Sequence, residues 1–262
     1  MDLLGAHVVI TGASRGIGEA IADALADRGA RLTLVARPSQ QLNSVAARVK
    51  GIAYGADLSD AAQVATLIPL LEEDAGTPVD ILVNNAGIEV TKSFLTATAD
   101  DVQRIHQVNL LTPIELTRQV LPGMVRRGRG HIVNVSSMAA VGAFPGFSLY
   151  GSTKAGLSNF TRILRQDLRN TPIRLTAVEL GPVQTDMLDS INTYGPADQS
   201  FRRFRRLQLM PNVPRERVAK GVVKAIEHNK RHVWLPSRAA AFPMIGAIPQ
   251  HIVDNLIRDI AP

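Results

Sequence analysis

Short apolar runs alternate with amphipathic stretches along this chain. Seven runs rich in apolar and β-branched residues predict strands: 7–12, 31–36, 52–57, 79–87, 131–137, 173–180 and 232–236. Apolar residues at helical spacing predict helices between them: 17–29, 39–50, about 60–74, about 99–126 with a break near Pro113, 149–170 and 215–229. Parallel strands that are buried on both faces have such apolar runs. The pattern therefore predicts one α/β domain with a doubly wound, mostly parallel sheet of seven strands.

The first predicted strand joins the first predicted helix through TGASRGIG, residues 11–18. Gly12 can take a tight turn after the strand, and Gly16 leaves room for the backbone to approach a pyrophosphate. Gly18 lets the helix pack close to the sheet, and the start of the helix offers free N–H groups and a partial positive charge to phosphate. Ordinary tight turns also use glycine, but the position between a strand and a helix favours dinucleotide binding.

The residues after the second predicted strand bear on the choice between NAD(H) and NADP(H). An NAD(H) site usually has an acidic residue there, which bonds the ribose 2′-hydroxyl. This chain has Ala36-Arg37-Pro38-Ser39 instead, and the planar guanidinium of Arg37 can hold a 2′-phosphate. Arg15 in the glycine loop can approach the same phosphate from the other side. We therefore expect NADP(H) rather than NAD(H), with two solvated surface arginines as the alternative.

The glycine loop and NNAG at 84–87 are followed by four residues in a distinctive order and spacing, Asn109, Ser137, Tyr150 and Lys154. Over about residues 6–190 the chain resembles the short-chain dehydrogenase/reductase family. The resemblance implies a Rossmann-type domain, usually in a homodimer or homotetramer, that moves hydride between a nicotinamide and a carbonyl or alcohol. It also implies that these four residues are catalytic. Together with the glycine loop and its arginines, it predicts cofactor contacts at Gly12, Ser14, Arg15, Gly16, Ile17, Gly18, Arg37, Asp57, Leu58, Asn85, Ala86, Gly87, Tyr150, Lys154, Val183 and Thr185.

Tyr150 and Lys154 stand four residues apart, so both lie on one face of a helix. A free tyrosine has a pKa near 10, and a nearby ammonium favours the phenolate. We therefore expect Lys154 to lower the pKa of Tyr150, which would act as the acid or base on the substrate oxygen. By family resemblance Lys154 also holds the nicotinamide ribose, Ser137 bonds the substrate oxygen and Asn109 fixes a helix and a water. Each residue also has an ordinary structural interpretation, as a half-buried aromatic, a surface charge, a helix cap or a backbone contact.

Composition excludes several other classes of function. Cysteine is absent and the six histidines have no ligand spacing, so we expect no metal site. Without an apolar run of 18 residues or a signal-peptide pattern, we expect a cytoplasmic protein. The basic run FRRFRR at 201–206 does not predict nucleic-acid binding, because only 4% of the residues are aromatic. A non-catalytic sensor that binds NADP(H) is the remaining alternative to an enzyme.

The end of the chain is the least regular part of the single domain, which we expect to span 1–262. We expect 185–214 to cover the substrate and 237–262 to form a C-terminal tail, in which 250–260 has the pattern of a short amphipathic helix. Phe201, Phe204 and Leu207 would form an apolar stripe on a helix, flanked by four arginines. The stripe and tail either pack on the domain and a subunit interface, or form an apolar tunnel with a basic rim. The tunnel would suit a long-chain or steroid-like substrate, drawn from an anionic membrane surface.

Overall fold

A single sheet organises the part of the chain that the computed structural model describes, residues 1–207 and 210–237. Its seven strands are β1 (His7–Thr11), β2 (Arg31–Ala36), β3 (Ile52–Gly55), β4 (Ile81–Asn84), β5 (His131–Ser137), β6 (Arg174–Leu180) and β7 (His232–Leu235). The order across the sheet is β3-β2-β1-β4-β5-β6-β7, and every neighbouring pair is parallel. The predicted fold class is therefore confirmed. The order reverses between β1 and β4, so a crevice is expected at the carboxyl ends of these strands.

Helices connect the strands and cover the sheet. They are α1 (Gly16–Ala26), α2 (Gln40–Val49), α3 (Ala61–Ala65), α4 (Leu67–Ala75), α5 (Ala99–His106), α6 (Thr112–Arg127), α7 (Ser148–Asp167), α8 (Asp186–Ile191), α9 (Gly195–Arg206) and α10 (Arg215–Glu227). The break predicted near Pro113 is a π-helical turn, Gln107–Leu111, between α5 and α6. The helix predicted over about 60–74 is two helices, because Thr66 ends α3 in a non-helical conformation before α4 begins.

Alternate residues of the central strands point to opposite faces of the sheet. On β1, Val8 and Ile10 pack with the core that α1, α2 and α10 cover. Val9 packs with the other core, which α3, α4 and α6 cover. Both faces are thus buried, which explains why the strands are continuously apolar rather than alternating. None of the helices in the described part of the chain is long and apolar enough to cross a membrane.

A third apolar cluster lies apart from the two sheet faces and includes residues of the segment after β5 and of α9. The Phe144 ring lies 5.5 Å from the Phe201 ring and 5.4 Å from the Phe204 ring, between centroids. Two members of the predicted stripe are therefore buried. Leu207 is not, because it follows the last residue of α9 and is 51% exposed. The helix predicted at 250–260 lies outside the described residues.

Candidate active site

The glycine loop forms a tight turn between β1 and α1. Gly12 has a φ of +65°, a conformation that favours glycine. A Cβ on Gly18 would lie 2.2 Å from the Gly12 carbonyl oxygen, so α1 can approach the loop this closely only with glycine there. The close packing predicted for Gly18 is thus present. The role of this loop in binding cofactor stays a prediction.

Asn85 fastens the glycine loop to the segment that follows β4. Its Nδ2 donates to the carbonyl oxygens of Thr11 at 2.9 Å and Gly12 at 3.2 Å. In return, the Thr11 hydroxyl oxygen accepts from the backbone N–H groups of Asn85 and Ala86, both at 3.0 Å. Sequence analysis missed this role of Thr11, although a polar residue at the end of a buried strand indicates a hydrogen-bonding role. These bonds fix two of the predicted cofactor segments against each other.

The start of α1 has the features of a phosphate site. The residue before the helix, Arg15, makes no side-chain cap, so its side chain does not satisfy the first N–H groups of α1. Gly16, with a φ of +62°, leaves no Cβ over this end of the helix. Uncapped N–H groups and the helix dipole together attract an anion. The residues present therefore fit the pyrophosphate of a dinucleotide.

The other predicted cofactor residues lie along the same edge of the sheet. Hydrogen bonds donated by Ser59 are the main cause of a lowered pKa of the Asp57 carboxyl group. The positive charge of Arg37, which directly follows β2, lowers this pKa further. The Leu58 carbonyl accepts a hydrogen bond from Thr112 at 2.8 Å. Arg15 donates to Asp186 of α8 at 2.6 Å, and both side chains are mostly exposed. Arg15 therefore has a carboxylate partner that sequence analysis did not anticipate.

Ser137, Tyr150 and Lys154 converge at the carboxyl end of β5. Ser137 is the last residue of that strand, and α7 carries the other two on one face. The Lys154 Nζ lies 5.7 Å from the centroid of the Tyr150 ring and donates to the Val135 carbonyl oxygen at 3.0 Å. The Ser137 hydroxyl oxygen accepts from the Ala139 N–H at 3.1 Å. The helical spacing thus places the tyrosine and lysine together as predicted.

Asn109 lies in the π-helical turn and is fully buried. Its amide makes two bonds to Ile88, accepting from the N–H and donating to the carbonyl oxygen, each at 2.9 Å. It also donates to the Thr153 hydroxyl at 3.2 Å, and Thr153 in turn donates to the Tyr150 carbonyl at 2.8 Å. Asn109 therefore fastens the segment after β4 to α7. Its predicted role in holding a water stays a prediction.

Burial controls the protonation of the tyrosine and the lysine. It raises the pKa of Tyr150 to about 12, while a hydrogen bond with Ser137 lowers this pKa and the charge of Glu89 raises it further. Burial also lowers the pKa of Lys154 to about 8. The pKa of Tyr150 is therefore raised in this structure, whereas the helical spacing predicted that Lys154 would lower it. The loss of water around the phenol outweighs any attraction by the ammonium.

A cavity of about 120 Å³ joins these elements. Polar groups lie along part of its wall, at Asn85, Ser137, Tyr150, Lys154 and Thr185. Much of the remaining wall is apolar and comes from the segment after β5 and from 180–210, at Phe144, Phe147, Met187, Leu188, Ile191, Phe201 and Met210. The lining also includes Ile17, Gly87 and Val183. The glycine loop, the segment after β4 and the segment after β6, all predicted to contact the cofactor, therefore border the same cavity. The lining therefore favours an apolar group next to the Tyr150 hydroxyl.

Known proteins share this fold and much of this sequence. A profile of the short chain dehydrogenase family matches residues 6–194. The ketoacyl reductase HetN of Nostoc sp. is 37% identical over 268 residues, which cover 98% of this chain and 89% of that protein. The solved structure of a short-chain dehydrogenase from Sphingobium yanoikuyae in complex with NADPH is 28% identical, with a TM-score of 0.79 over 98% of this chain and 96% of that one.

A metagenomic short-chain oxidoreductase in complex with NADP is 33% identical, with a TM-score of 0.65 over 74% of this chain and 91% of that one. The match to the family profile and the similarity to HetN extend over most of the present chain. The chain therefore belongs to the short chain dehydrogenase family, a family of oxidoreductases.

Proposed function

We propose that this protein is an NADP(H)-dependent oxidoreductase that interconverts a carbonyl and an alcohol on a hydrophobic substrate. The observation that carries the proposal is the convergence of Ser137, Tyr150 and Lys154 on an apolar cavity that the glycine loop also reaches. A sensor would need the cofactor site but not these three polar groups beside an apolar space. The NADPH and NADP complexes of related structures add support for the cofactor.

The residues of the cavity suit a reduction in which the substrate oxygen lies between Ser137 and Tyr150. NADPH, when bound, supplies the hydride. Tyr150, protonated at neutral pH, donates its proton to the substrate oxygen. Below about pH 8 Lys154 carries a positive charge, which stabilises the phenolate that remains on Tyr150. The Ser137 hydroxyl donates a hydrogen bond to the same oxygen as negative charge develops there.

The choice of NADP(H) over NAD(H) depends on Arg37 in this proposal. A guanidinium–phosphate contact contributes about 1.5–3 kcal/mol, so we expect NADPH to bind at least about tenfold more tightly than NADH. Arg37→Asp should reduce or invert this preference, as measured by the Kd values of both cofactors. Arg15→Ala should have a smaller effect, because Asp186 already engages that arginine.

Arg169→Asp is the matched control for this charge change, because Arg169 lies beyond the end of α7 and away from the predicted cofactor residues. It should leave both Kd values unchanged. Equal Kd values for NADPH and NADH in the unaltered protein would contradict the role of Arg37.

The substrate class follows from the wall of the cavity. Phenylalanine and methionine side chains from α8, α9 and the segment after β5 surround the space beside Tyr150. We propose that residues 185–214 cover the substrate and that long-chain or polycyclic ketones and aldehydes fit best. The name of the related ketoacyl reductase supports a carbonyl substrate.

A screen of carbonyl compounds and alcohols with both cofactors tests the proposed function. We expect kcat/KM to be at least about tenfold higher for long-chain or polycyclic carbonyls than for short polar ones, because each buried methylene contributes about 0.8 kcal/mol. Tight NADPH binding without turnover of any compound would favour the sensor. Salt-sensitive binding to anionic liposomes, weakened when the arginines of α9 become glutamine, would support delivery from a membrane surface.

A further inference from the structure

Helix α8 is fastened at both of its ends to segments that border the candidate active site. At its first residue, Asp186 pairs with Arg15 of the glycine loop at 2.6 Å. Near its last residue, the Ser190 hydroxyl donates to Glu89 Oε1 at 2.5 Å. Between these two contacts α8 presents Met187 and Leu188 to the cavity. These two contacts therefore join α8 to the glycine loop and to the segment after β4, while Leu188 and Ile191 pack in the third apolar cluster.

Glu89 has more partners than Arg15 has. The second carboxylate oxygen of Glu89 accepts from the Thr91 hydroxyl at 2.5 Å, so both of its oxygens are engaged. The preceding residue, Ile88, is held by two hydrogen bonds to the buried Asn109. The backbone beside Glu89 is thus joined to the same asparagine that fastens α7. Arg15 and Asp186 form an ion pair that contributes little stability on its own, and the Ser190 contact is exposed as well.

We propose that Glu89 is a positioning residue that fastens α8 over the substrate cavity through Ser190 and places a negative charge on the segment after Gly87, which lines the cavity with Tyr150 and Lys154. The proposal rests on the proposed function, because it assigns Glu89 a part in placing substrate and in setting the proton donor. Glu89 does not line the cavity and acts through α8 and Tyr150.

Two separate consequences follow from one carboxylate. Loss of the Ser190 contact loosens α8, so Leu188 and Ile191 no longer cover the substrate firmly and KM rises. Loss of the negative charge removes one of the influences that disfavour the phenolate of Tyr150. Burial is the main cause of its raised pKa, and Glu89 adds to it. The Lys154 ammonium also faces the phenol ring, with its Nζ 5.7 Å from the ring centroid.

Two variants separate these consequences. Ser190→Ala removes the contact and keeps the charge, whereas Glu89→Gln removes the charge and leaves an amide oxygen that can accept from Ser190. We expect Ser190→Ala to raise KM for the best carbonyl substrate about three- to tenfold and to speed amide hydrogen exchange in α8. It should leave the titration of Tyr150 unchanged. Glu89→Gln should shift the onset of Tyr150 ionisation to lower pH, with a smaller rise in KM.

The ionisation of Tyr150 is measured as the tyrosinate absorbance of each protein minus that of the same protein with Tyr150→Phe. Ser44→Ala, on α2, is the matched control for Ser190→Ala and should change neither readout. Unchanged hydrogen exchange of α8 in Ser190→Ala, or an unchanged titration in Glu89→Gln, would overturn the corresponding half of the proposal. Both readouts are made without turnover, so they stand even if the proposed reaction is not found.

Discussion

Tyr150→Phe is expected to lower kcat by about 10²-fold or more, the usual scale for losing a positioned general acid or base. The change removes one hydroxyl and keeps the ring, which packs against Phe147 with centroids 5.7 Å apart. The fold and the cofactor site should therefore remain. The measurement is kcat with NADPH and the best carbonyl substrate, together with the Kd of NADPH.

Tyr54→Phe is the matched control, because Tyr54 lies on the edge strand β3 and is not among the residues that line the cavity. It should keep near-normal kcat. If Tyr150→Phe also keeps near-normal kcat and binds NADPH normally, Tyr150 is not the proton donor.

Lys154→Met is expected to lower kcat by about 10²-fold and to stabilise the protein at the same time. Activity falls because no ammonium remains to stabilise the phenolate. Stability rises because burial of the ammonium is costly: the pKa of Lys154 falls from 10.5 to about 8, and each unit corresponds to about 1.4 kcal/mol. We expect the free energy of unfolding at pH 7 to rise by about 1–3 kcal/mol, less than the full pKa difference because the bond to Val135 is lost.

The pH dependence of this stability distinguishes burial of charge from better packing. Between about pH 8 and 10.5 the unfolded chain binds a proton at Lys154 that the folded chain does not, so the stability of the unaltered protein rises with pH through this window. The variant lacks this group. The difference in free energy of unfolding between Lys154→Met and the unaltered protein should therefore be largest below pH 8 and shrink toward pH 10.5, as measured by denaturant unfolding. An advantage that is constant with pH would contradict a buried charge at this position.

Much of the fold could be predicted because its causes are local. Strands such as β1 are buried on both faces, so they require apolar residues at successive positions, and the sequence shows this as an apolar, β-branched run. The pairing of Tyr150 and Lys154 follows from the helical repeat alone. Position 18 requires glycine because α1 approaches the loop too closely for any Cβ. This requirement is visible in the sequence as the last glycine of the loop.

The predictions that failed concern properties of packing. A stripe through Leu207 assumed that α9 continues, but the helix ends at Arg206 and Leu207 is left half exposed. The contacts of Arg15 with Asp186 and of Glu89 with Ser190 join residues 171 and 101 positions apart. No local pattern marks such pairs, because each partner is an ordinary surface residue in its own segment.

The sequence by itself determined the parallel sheet, through its hydrophobic periodicity. It also determined the family and the candidate site residues, through the motifs in which the chain resembles short-chain dehydrogenases. Only the tertiary structure decided the protonation of those residues. The pKa of a phenol or an amine depends on how much water the surrounding side chains remove, and the covering groups come from the segment after β5, from α8 and from α9. This loss of water opposes the lowering of the Tyr150 pKa that the helical spacing of Lys154 predicts. It arises only when these distant segments pack together.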